Sequence, residues 1–82
     1  MRETDRDLLL KRLAKAQEQV ELGAQNVVRQ RGIVAQLERD GFDNTGARAL
    51  LIEFEEAQAV YLAERDRLQT LAQSQAQSQS RS

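Results

Sequence analysis

The sequence predicts an all-α fold, an antiparallel two-helix hairpin packed in coiled-coil fashion. Three observations carry that prediction. The 82 residues include no proline and no cysteine, and 40% are hydrophobic and 30% charged. Rich in Ala, Leu, Glu, Gln and Arg, they have the composition of long packed helices. Apolar residues recur at steps of three and four in both halves, the period of a helix with one apolar face. Between the halves stands LERDGFDNTGARALL, residues 37 to 51, which holds two of the four glycines.

The first half spaces Leu13, Ala16, Val20, Gly23, Ala24, Val27, Val34 and Leu37 along one stripe. Leu13, Val20, Val27 and Val34 lie seven apart, the repeat of a helix–helix seam. Gln30 and Arg31 interrupt it. This predicts a first helix over about residues 4–40, roughly 50 Å long at 1.5 Å per residue. The second half repeats the pattern with Ala47, Leu50, Leu51, Phe54, Ala57, Tyr61, Leu68 and Leu71, interrupted by Glu64 and Arg65. It predicts a second helix over about 44–73. The ending AQSQAQSQSRS has no apolar face, so residues 74–82 are expected to be a disordered Gln/Ser tail. The hairpin domain is therefore 1–73.

The turn is expected at residues 41–43. Gly41 falls just past the end of the first helix, where left-handed dihedrals suit glycine. Phe42 follows where an apolar residue packs back on the last turn, here on Leu37, and it also stands ready as a staple against Ala47. Asp43 is the expected N-cap of the second helix, with Thr45 as the alternative. Gly46 has no evident purpose. A loop this short turns the second helix back along the first. Pairing residues whose numbers sum to about 85 sets Val34 near Leu51, Val27 near Phe54 to Ala57, Gly23 and Ala24 near Tyr61, and Gln17 near Leu68.

Leu8, Leu9, Leu10, Leu22, Val28, Ile33, Ile52, Val60 and Leu62 fall outside or at the edge of these stripes. Apolar arcs wider than one seam are expected where each helix meets two neighbours, and small scaffolds without disulfide or metal usually oligomerise. The expected working form is thus a homo-oligomer, most simply a dimer of hairpins making a four-helix bundle by two-fold symmetry.

Little here supports catalysis. There is no His and no Cys, so the usual proton-transfer group and the best nucleophile are both missing. Serines occur only at 74, 78, 80 and 82. Glu53, Glu55 and Glu56 cluster, but the histidine that di-iron bundles pair with such glutamates is lacking. No enzymatic activity, metal, cofactor or small-molecule substrate is expected. The formal net charge of -1 offers no bulk attraction to nucleic acid or anionic membrane. Charge is uneven, however: residues 1–39 hold eight basic and six acidic side chains, residues 40–82 four and seven. Lys11, Arg12, Lys15, Arg29 and Arg31 are the candidate nucleic-acid contacts, although Glu18 and Glu21 break their stripe. Attraction between the two helices, within or between chains, is the preferred account of the asymmetry. The opening MRETDRDLLLKRLAK is too charged for a secretory signal, and no run approaches the roughly 18 apolar residues of a membrane span. A cytoplasmic protein is expected.

Residues 27–68 carry RQR, LERDG, ALL followed by FEE, and RDRL in that order. In this pattern the chain resembles a family of short uncharacterised alphaproteobacterial proteins, rhizobial ones especially. The resemblance implies a helical hairpin in a bacterial cytoplasmic protein and implies no activity. Its members tend to carry His where this chain has Phe42 and Tyr61. The function expected is a non-enzymatic, self-associating helical module that works by protein–protein contact, as a small regulator or adaptor, with itself or another protein as partner. The alternative is a nucleic-acid-associated regulator using the basic face of the first helix.

Overall fold

The computed structural model describes the backbone of residues 4–81 and the side chains of residues 4–75. Helix α1 runs Asp5–Arg39 and helix α2 runs Thr45–Arg81. The described backbone is otherwise turn and coil, and it contains no strand. The two helices pack against each other as a hairpin about 64 Å long and 26 Å wide.

Thr4 starts α1 with a capping box. Its hydroxyl accepts from the Asp7 N–H at 3.1 Å, and Asp7 Oδ2 accepts from the Thr4 N–H at 3.4 Å. Asp5 and Asp7 also place negative charge on the positive end of the helix dipole. The sequence signal for this start is Thr-x-x-Asp before the leucine run.

The predicted stop is where the helix ends. Gly41 adopts φ +74°. The Phe42 N–H donates to the Leu37 carbonyl at 2.9 Å and the Gly41 N–H to the Glu38 carbonyl at 3.2 Å. This pair of bonds is the Schellman motif, with Asp40 as the last capping residue. The expected apolar staple does not form a buried cluster, because Phe42 remains 66% exposed. It sits beyond the end of the seam, where neither helix has a further turn to cover it.

Asp43 and Thr45 share the start of α2 differently from either expectation. The Arg48 N–H bonds to the Asn44 carbonyl at 2.8 Å, which puts Asn44 in the N-cap place. Asp43 Oδ1 instead accepts from the Thr45 N–H at 3.0 Å and from its hydroxyl at 2.7 Å. Asp43 therefore still satisfies one of the orphan N–H groups of the first turn. Those two donors hold its carboxyl below the usual carboxylate range, the hydroxyl more strongly.

Helix α2 also continues past residue 73, to Arg81, where a disordered tail was expected. No Gly or Pro follows Gly46. Ala, Gln, Ser and Arg tolerate helix, and extending an existing helix escapes the cost of nucleation. Ser82, the last residue of that expected tail, lies outside the described residues.

The seam follows a strict heptad on both helices. On α1 one row is Leu13, Val20, Val27 and Val34, and the other is Leu9, Ala16, Gly23, Gln30 and Leu37; every member is partly or fully buried. On α2 the rows are Leu51, Gln58, Arg65 and Ala72, and Ala47, Phe54, Tyr61, Leu68 and Gln75. Cross-helix partners have residue numbers that sum to between 77 and 86, as in Gln30–Ala47, Val20–Gln58, Arg31–Glu55 and Glu38–Arg48. A near-constant sum is the mark of antiparallel pairing.

Candidate interaction surface

The seam contains little that is dry. Ala16, Val27, Val34 and Leu68 are its buried apolar residues, with Leu68 at 3% exposure and Ala16 at 4%, and no large side chain among the described residues is fully buried. Of the predicted interface residues, Gly23 joins this buried set. Leu13, Val20, Leu37, Leu51, Phe54, Ala57 and Tyr61 are half-buried beside it. Ala24 and Leu50 are not in it: both are exposed. Each stands one residue from a true seam position, Gly23 and Leu51, and a step of one turns a side chain about 100° around the helix.

Two residues that looked polar in sequence belong to the seam. Gln30, 6% exposed, donates through Nε2 to the Ala47 carbonyl at 2.9 Å. Gln58 returns the contact in the other direction, donating to the Val20 carbonyl at 2.9 Å. Both sit at heptad positions, and their methylene stems pack while the amide finds a backbone acceptor. The Gln58 Oε1 atom is buried without a hydrogen-bond partner. It occupies the space where a Cβ on Gly23 would stand; such an atom would also lie 2.9 Å from Gln58 Cδ and 3.2 Å from Tyr61 Cδ2. Gly23 thus admits both the Gln58 amide and the Tyr61 ring; its closeness to Tyr61 is the one the residue-number pairing predicts, and Gln58 is the unforeseen part.

The edges of the hairpin differ. On one, Arg31 bridges Glu55 at 3.2 Å and Arg48 bridges Glu38, tying α1 to α2. On the other edge, Arg12, Lys15 and Glu64 line an open groove with Ala16 and Leu68. Arg12 helps lower the Glu64 carboxyl below its ordinary range, after the larger effect of the Arg67 guanidinium, which bonds it at 2.8 Å and 3.1 Å. Arg29 bonds along its own helix, to Asn26 Oδ1 at 3.0 Å. The five basic candidates therefore form no single surface. Arg12, Lys15 and Arg29 share one side of α1, Arg31 is engaged on the opposite edge, and Lys11 projects from the back. Lys15 and Arg29 are about 21 Å apart along the helix.

Among the described residues, eleven large apolar side chains are exposed, Val28 most of all at 68%. They include eight of the nine that the sequence placed outside the stripes; Leu9 alone of that set is half-buried. Among the described residues, no group of three His, Cys, Asp or Glu is placed to hold a metal ion, and no helix is long and apolar enough to cross a membrane. Compared with family models, curated proteins and solved structures, the chain matches none.

Proposed function

We propose that this protein is a non-enzymatic helical module that associates with itself and acts through protein–protein contact. The observation that carries the reading is the inversion of its apolar surface: among the described residues, four buried apolar residues stand against eleven large exposed ones. A folded monomer scatters apolar residues singly over its surface without consequence. Here they recur along both helices beside a seam that buries little, and a chain of this size gains stability chiefly by adding a neighbour. A cytoplasmic, bacterial setting belongs to the same reading and rests on the resemblance of residues 27–68. The nucleic-acid alternative has less support, since the basic side chains are divided between edges.

Mass action supplies the test. If association holds the hairpin together, its helix melting temperature, followed by circular dichroism, rises with protein concentration. A melting temperature unchanged over a hundredfold dilution would contradict self-association.

A further inference from the structure

The groove edge of the hairpin carries more of the exposed apolar residues than the bridged edge. Leu8, Leu22 and Ile33 stand on α1, and Leu50, Val60 and Leu71 on α2, all between 40% and 66% exposed. With 100° per residue, each trio follows the same side of its helix. Leu22 and Tyr61 line a second groove on this edge, and Leu8 and Leu71 line a third. Charge is sorted along the same strips. The α1 strip is net basic, with Arg12, Lys15 and Arg29 against Asp5; the α2 strip is net acidic, with Glu53 and Glu64 against Arg67, which is tied to Glu64. Among the described residues, none of Arg12, Lys15, Arg29 and Glu53 forms an ion pair, whereas the bridged edge has its charges joined across the hairpin.

We infer that this face binds a second copy of the chain about a two-fold axis parallel to the helices, laying α1 on α2 of the partner subunit. The inference rests on the self-association proposed above and says which surface and which polarity it uses. An axis in that direction leaves every residue at its own height, so the near-constant sum of the hairpin also governs contacts between copies. Ile33 then meets Leu50 of the partner subunit, Leu22 meets the partner's Val60, and Arg29 meets the partner's Glu53. Apolar faces apolar and Arg29 faces an acid, while Lys15 meets the partner's Arg67, whose charge Glu64 offsets. Both loops lie at the same end, and every neighbouring pair of helices is antiparallel. The other two-fold choice, perpendicular to the helices, lays α1 on α1 and α2 on α2, so that each strip meets a strip of its own net sign and Arg29, with Leu22 at the centre, meets the partner's Lys15. Like charges oppose that choice. The face is long enough for the roughly 800 Å² per partner of a standard interface, given the 64 Å by 26 Å hairpin.

Charge reversal decides it, with light scattering after size exclusion over a dilution series. Arg29 and Glu53 are exposed and outside the seam, so R29E and E53R leave the hairpin itself intact. The expected result is a wild-type dimer, about tenfold weaker dimers for R29E and for E53R, and restored affinity in the R29E/E53R double variant, since each surface pair occurs twice. Tighter association of R29E would overturn the inference in favour of α1 on α1. A wild-type dimer indifferent to both reversals would overturn the face while leaving self-association standing. A wild-type monomer would remove both.

Discussion

Gln30 on α1 donates its side-chain amide to the main-chain carbonyl of Ala47 on α2 at 2.9 Å, inside the seam. Gln58 makes the converse bond from α2 to Val20 at 2.9 Å. Sliding either helix by one turn, about 5.4 Å, removes the Gln58 amide from the space that the missing Gly23 side chain leaves for it. A polar group at a seam position fixes alignment at some cost in stability.

Replacing both glutamines by leucine is expected to raise the melting temperature and to loosen alignment together. The two carbonyls keep their own helical N–H partners, so removing the amides strands no acceptor. Gln58 Oε1, buried without a hydrogen-bond partner, would disappear as a liability. Thermal denaturation should show stabilisation of about 1 kcal/mol or more, while size exclusion should show more than one associated species. A single species of unchanged stability would mean that the amides do not set the alignment.

Two glycine-to-alanine substitutions should have unlike outcomes. Gly32 has nothing within 4 Å of where a Cβ would go, so Gly32→Ala gains helix propensity of about 1 kcal/mol. Gly23→Ala has the same gain, but the new methyl expels the Gln58 amide from the Val20 carbonyl and crowds Tyr61 Cδ2 at 3.2 Å. Crowding of this kind costs about 1–3 kcal/mol, which cancels or exceeds the gain. Urea denaturation of the two variants should therefore place Gly32→Ala above Gly23→Ala by at least about 1 kcal/mol. Equal stabilities would contradict the close approach at Gly23.

Asp43 should make stability depend on acid. Its carboxyl is held below the ordinary range by the Thr45 hydroxyl and N–H. A depressed folded pKa adds stability that is complete above the ordinary carboxylate value, near 4, and disappears as pH falls through the folded value. Asp43→Ala should thus melt below the wild type at pH 7, and the gap should close at the acid end of a titration. A gap that persists unchanged at about pH 2 would show that the carboxylate charge plays no part in the cap.

Much of this fold was legible because local rules and the global fold agree. Val20, Val27 and Val34 declare the seven-residue period, and Gly41 stops α1 with the left-handed turn that its lack of a side chain permits. Gln30, Gln58 and Arg65 were not legible as seam residues. An amide or guanidinium reads as surface on any hydropathy scale, and the carbonyls that satisfy Gln30 and Gln58 are defined only once the helices are paired. Ala24 and Leu50 erred the other way. Both are apolar and adjacent to seam positions, and a period of 3.5 rather than 3.6 residues decides which neighbour turns inward. Composition also misled over the end of α2, because a lack of apolar contacts says little about a helix already under way. The surplus of leucine and valine, in contrast, was visible from the first count, and the exposed residues are largely those it named.

Sedimentation equilibrium at micromolar concentration measures the central claim most directly. The account predicts a mass of twice the 9.3 kDa chain, with dissociation on dilution and a helical signal that falls in step. A well-folded helical species of 9.3 kDa, stable at every concentration, would contradict it.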